Sequence, residues 1–104
     1  MNPQRLIPAL EDAVERLGVR VRRERGTFRG GLCTVDGAPV LVLNRQHPPE
    51  AHLAALAEAL AELPAEQLYL RPAVRAALEA LWAERQRGGA EAGPDALDPA
   101  SEGA

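Results

Sequence analysis

Apolar residues recur along this chain with several spacings, and each spacing predicts an element. Leu6, Leu10, Ala13, Val14 and Leu17 fall on one stripe of a helical repeat, with Glu11, Asp12, Glu15 and Arg16 off it. Gly18 supplies a C-terminal stop, and Asn2-Pro3 read as N-cap and first helical residue. Pro8 cuts against that start, because an interior proline lacks an N–H and crowds the preceding turn, so the helix is expected to begin near Pro8 or to kink there.

The spacing then shortens. Val19, Val21 and Arg23 alternate with Arg20 and Arg22, which predicts a half-buried strand. A glycine-rich link, Gly26 to Gly31, leads to a short strand over Leu32 to Val35. Asp36-Gly37 is a two-residue hairpin signal, because a type I′ turn needs positive φ at both central positions. The returning arm, Pro39 to Leu43, carries four consecutive apolar residues, Val40 to Leu43. It is expected to be the central strand, covered on both faces, with Pro39 confined to its first residues.

After the turn Asn44 to His47, helical spacing returns. Pro48-Pro49-Glu50 opens a helix whose buried stripe is Leu53, Leu56, Ala57, Leu60 and Leu63, and Pro64 ends it. Pro72 starts a last helix with Val74, Leu78, Leu81 and Trp82 on one face, expected to stop at Gly88-Gly89. The remainder is acidic, rich in small residues and aperiodic. The expected architecture is α+β: a helix, a three-stranded and mostly antiparallel sheet, and two further helices. Residues 1–87 form one domain and residues 88–104 a disordered tail.

Composition narrows the function. A chain of 104 residues can bury one modest core. All twelve basic residues are Arg, and there is one Phe, one Tyr and one Trp, so few platforms exist for stacking bases. The net charge is −3, with the front half (1–45) at +3 and the rest at −6, a polarity suited to steering a partner or to head-to-tail pairing. One cysteine excludes an intrachain disulfide and fits a reducing compartment. The N-terminal segment has no apolar core of a signal peptide, and no apolar run is long enough to span a membrane. A cytoplasmic protein with no membrane partner is expected.

Candidate chemistry is sparse. His47, Glu50 and His52 place three potential metal ligands at the entrance of the second helix, but the histidine spacing is not a recurrent zinc geometry. Glu58 and Glu62 are an i,i+4 pair opposite the leucine stripe. Carboxylates so placed can hold a metal or share a proton, or they can be a solvated face with a bridge to Arg71 or Arg75. Cys33 is a nucleophile only if the fold brings Arg29 or His47 close enough to favour the thiolate, and free cysteine is otherwise a small buried hydrophobe, the favoured reading. Arg20, Arg22, Arg23, Arg25, Arg29 and Arg45 form a basic stretch that can contact phosphates or guard a sheet edge. No cofactor is implied, and the HExxH, CxxC and GxSxG patterns are missing from the sequence.

From about Leu10 to Leu63 the order of features resembles the core of ImmA/IrrE-type zinc peptidases. Leu17-Gly18-Val19 with Val21, the Asp36-Gly37 turn, Val40 to Asn44 and Pro48-Pro49-Glu50 are the counterparts of that family's strand, hairpin, Asn-ended strand and turn. The family's metal helix resembles T-L-A-H-E-L-G-H, and Ala55 to Glu62 reads A-L-A-E-A-L-A-E. Leu56, Ala57 and Leu60 match. The zinc histidines fall on Glu58 and Glu62, and the general-base glutamate falls on Ala59. Zinc hydrolysis needs both the metal and the base, so the resemblance implies the scaffold without the peptidase activity.

Three expectations result. The first is a non-catalytic module that binds a protein partner or a second copy through the hairpin edge and helix faces, with Arg20, Arg22, Arg29, Cys33, Glu58 and Glu62 as its candidate contacts. The second is a nucleic-acid-associated protein using the Arg stretch, against which the overall acidity argues. The third is a metal-dependent hydrolase using Glu58 and Glu62 with His47 and His52.

Overall fold

The computed structural model describes residues 1–97, with backbone alone over 88–97. Helix α1 (Pro3–Arg16) is followed by strands β1 (Arg20–Glu24), β2 (Gly31–Val35) and β3 (Ala38–Asn44), then α2 (Pro49–Glu62), a 3-10 turn (Ala65–Gln67) and α3 (Pro72–Leu97). This is the α+β order that the apolar spacing predicts.

Helix α1 starts at Pro3, and the Asn2 side chain accepts from the Arg5 N–H at 3.1 Å. The helix runs through Pro8 rather than beginning there. The carbonyl that Pro8 leaves without an intrahelical donor belongs to Gln4, and both residues are exposed, so water can satisfy it. Gly18 takes φ +90° just past the last turn, the left-handed conformation that caps a helix without a Cβ penalty.

The strand order is β1-β3-β2, so β3 is central, as its apolar run requires. The sheet is mixed: β2 pairs antiparallel with β3, and β1 pairs parallel with it. The hairpin turns as predicted, with Asp36 at φ 51° and Gly37 at φ 82°. Because β3 inserts between its two predecessors, the link from β1 to β2 must cross the C-terminal end of β3.

Among the described residues only one face of the sheet carries helices, which corrects the expectation of cover on both. Leu41 and Leu43 of β3, Val19, and the half-buried Val21 and Leu32 pack with Leu6, Leu10 and Val14 of α1 and Leu53, Leu56 and Leu60 of α2. The register sets Arg20, Val40 and Cys33 in one row, and Arg22 and Val42 in the next, on the opposite face. Val40 is 5% exposed yet lies outside the helix-side core, in a shallow recess lined by Arg20 and Arg22. Their aliphatic stems shield it while their charges stay in water.

Helix α3 adds a third layer. Val74 and Leu78 are buried against the other two helices, and Trp82 Nε1 donates to the Ala57 carbonyl of α2 at 2.8 Å. The stop expected at Gly88-Gly89 does not occur, since the helix continues to Leu97. Of the tail expected to be disordered, residues 98–104 lie outside the described residues. Among the described residues no helix is long and apolar enough to cross a membrane.

Candidate functional site

The candidate site is a cleft of about 270 Å³ between β2 and α2, lined by Arg29, Gly30, Leu32, Ala55, Glu58, Ala59 and Glu62. Three of these are residues the sequence singles out. The structure brings Glu58, Glu62 and Arg29 together around one small opening.

The floor of the cleft follows from helix geometry. Ala55, Glu58, Ala59 and Glu62 are three or four residues apart, so they share a stripe of α2. Ala59 is 2% exposed and belongs to the core against which Leu32 packs. Glu58 is exposed and paired with Arg85 of α3 at 3.4 Å, rather than with Arg71 or Arg75. Arg75 donates instead to the Leu68 carbonyl at 3.2 Å.

The wall is the chain from Arg29 into β2, held by a residue that the sequence places at a strand end and turn without a bonding role. Asn44 is 2% exposed. Its Nδ2 donates to the Gly26 carbonyl at 2.9 Å and to the Phe28 carbonyl at 2.7 Å, while its Oδ1 accepts the Gln46 N–H at 2.9 Å. The side chain thus fastens the crossing link over the end of β3, where the strand order demands a crossing. Gly30, at φ +89°, brings the link against β3 so closely that a Cβ would stand 2.8 Å from the Val42 carbonyl oxygen. The sequence signal for Asn44 is a polar residue ending an apolar strand, but its partners lie 16 and 18 residues upstream.

The free edge of β2 runs along the cleft. A two-residue hairpin closes on a hydrogen-bonded pair, here Val35 and Ala38. Alternation then makes Cys33 with Val40 and Gly31 with Val42 the other bonded pairs. It turns the N–H and C=O groups of Leu32 and Thr34 outward, where no strand among the described residues meets them.

The other candidates fall elsewhere. Cys33 is exposed, not buried, because it points to the face without helices. It stands opposite Val40, four residues and about 13 Å along the strand from Asn44. His47 lies beyond that end, so it is not placed to activate the thiol. The His47 N–H donates to the Asn44 carbonyl at 3.0 Å, and His52 Nε2 donates to the same oxygen at 2.7 Å. Among the described residues no group of three His, Cys, Asp or Glu side chains is arranged to hold a metal ion.

Arg20 and Arg22 share the outer face, with Arg22 paired to Glu24 at 2.6 Å. Arg23 turns to the helix side and pairs with Glu11, and Arg45 reaches the Arg23 carbonyl at 3.4 Å. The basic stretch is therefore divided between the two faces. A larger recess of about 350 Å³ lies beside α2 and α3, lined by Leu60, Leu63, Arg75, Trp82 and Arg85. Its lining comes from α2, the 3-10 turn and α3, with no sheet edge, so the β2–α2 cleft, with its open backbone groups, is the better candidate. No family model, curated protein or solved structure matches this chain.

Proposed function

We propose that this chain is a non-catalytic protein-interaction module that accepts an extended polypeptide segment along the outer edge of β2. The observation that carries the reading is the unguarded edge itself. Natural edge strands carry charges, prolines or bulges that discourage pairing. The β1 edge has Arg20, Arg22, Arg23 and Glu24, whereas β2 offers Leu32, Cys33, Thr34 and Val35. The backbone groups of Leu32 and Thr34 would supply hydrogen bonds without regard to sequence, and the adjoining cleft would read one side chain of the incoming strand.

Glu58 and Glu62 favour a basic side chain there, with Arg29 at the mouth. The reading also accommodates the peptidase-like scaffold, on which the positions of the zinc ligands carry carboxylates and that of the base carries Ala59. Selection from a library of displayed peptides tests it. Enriched extended peptides should bind the wild type and lose most of their affinity to Thr34→Pro, which removes one outward N–H and none of those facing β3. Failure to enrich any peptide, or binding indifferent to Thr34→Pro, overturns it.

A further inference from the structure

We infer that the segment β2 accepts is β2 of a second copy of this chain, paired antiparallel about a twofold axis at Cys33. This rests on the strand-accepting reading above and names its partner, which sets its Thr34, rather than a basic side chain, opposite Leu32 at the cleft. The edge is self-complementary. The strand runs from Gly31 to Val35, and its outward backbone groups, at Leu32 and Thr34, lie symmetrically about Cys33. Antiparallel pairing bonds outward residues to outward residues. Leu32 therefore meets Thr34 of the second copy, and Thr34 meets its Leu32, so the whole strand is used. A slip of two residues in either direction leaves part of it unpaired.

Two further features suit the same register. Val35, 41% exposed, falls opposite Gly31 of the second copy, which has no side chain to obstruct it. The rim that α2 adds carries Glu58 and Glu62 with Arg29 and Arg85, two charges of each sign, so joining two rims adds no net charge. A strand-edge contact closed by a twofold axis also removes the exposed edge without building a filament.

The register predicts a covalent signature. Cys33 faces Cys33 of the second copy in a non-hydrogen-bonded pair, where Cα atoms stand about 4.5 Å apart, within the range a disulfide spans. Diamide, an azo oxidant, takes two hydrogens from the two thiols and becomes the hydrazine, leaving one interchain S–S bond. The chain has a single cysteine, so the product is unambiguous.

The experiment combines sedimentation of the full chain over a wide concentration range with diamide cross-linking. Wild type should show a reversible dimer and cross-link within minutes. Thr34→Pro should weaken the dimer about thirtyfold or more, by removing one interchain bond from each copy. A thermal melt of each variant separates loss of pairing from loss of fold. Moving the thiol, as Leu32→Cys with Cys33→Ser, should abolish cross-linking, since residue 32 meets residue 34. A dimer that Thr34→Pro does not weaken overturns the inference, as does equal cross-linking from position 32. A monomer at all concentrations that still takes library peptides, sensitive to Thr34→Pro, overturns self-pairing alone. A monomer that takes none overturns the strand-accepting reading as well.

Discussion

His52 Nε2 donates to the backbone carbonyl of Asn44 at 2.7 Å, and so ties the first turn of α2 to the last residue of β3. The same carbonyl accepts the His47 N–H at 3.0 Å, and the Asn44 side chain holds the β1–β2 link. One buried residue thus joins the central strand, the crossing link and the second helix.

Asn44→Ala should therefore be among the costliest single changes in the chain. It leaves the Gly26 and Phe28 carbonyls and the Gln46 N–H without their partner, and a loss of about 2–4 kcal/mol is expected. Asn44→Asp keeps the acceptor for Gln46 but turns a carboxylate oxygen toward two carbonyls, so it should do no better. Urea denaturation of both variants measures this, and a cost under about 0.5 kcal/mol for either would refute the keystone role.

His52→Phe removes the donor and keeps much of the ring's volume. The single bond is part-buried, so a loss of about 1 kcal/mol is expected, with no change in the sheet. A metal role at this position would instead make the variant lose bound metal. Elemental analysis of wild type and variant distinguishes the two, and stoichiometric zinc lost on substitution would contradict the structural role assigned here.

The core was legible in the sequence and its connections were not. Helical spacing identified Leu6, Leu10, Ala13 and Val14 in α1 and Leu53, Leu56, Ala57 and Leu60 in α2, since periodicity reports which face is buried. The four apolar residues of β3 identified the central strand, but not that it lies parallel to β1, because local pattern carries no strand direction. The same run implied cover on both faces, whereas Arg stems shield the outer one. Cys33 is exposed because alternation turns it to the face away from Leu32, which the tendency of free cysteine to be buried does not report. Asn44 escaped because its partners become neighbours only once β3 has inserted between β1 and β2.

Gly30→Ala should disrupt the wall of the cleft. The added Cβ would meet a backbone oxygen at 2.8 Å, and φ +89° is already unfavourable for a residue with a side chain. A loss of about 2–4 kcal/mol is expected, since backbone rather than a flexible side chain must yield. Gly37→Ala, at φ +82° with open space around it, should cost only the conformational part, about 1 kcal/mol. Equal losses by denaturation would show that the close approach to Val42 does not matter.

Trp82→Phe should loosen α3 from α2. It removes the Nε1 donor to Ala57 and shrinks a half-buried ring, for an expected loss of about 1–2 kcal/mol. Trp82 is the only tryptophan, so its fluorescence reports this contact directly. In the wild type its emission should shift on unfolding together with the far-ultraviolet circular dichroism signal. A shift at much lower denaturant would mean that α3 undocks before the sheet and its helices unfold.

Glu58 and Glu62 separate stability from binding. Glu58 is half exposed and its bridge to Arg85 is long, so the pair should contribute under about 0.5 kcal/mol. Like charges at i,i+4 repel slightly, so Glu58→Gln with Glu62→Gln should leave stability within about 0.5 kcal/mol of wild type or raise it. The cleft, however, loses both carboxylates. Peptides with a basic residue facing it should then bind about tenfold more weakly, while neutral peptides on the same edge are unaffected. Titration of one basic and one neutral peptide against wild type and variant reads the difference. Equal loss for both would place the effect on the fold, and no loss for either would leave the carboxylates as a solvated face with no part in selecting the strand.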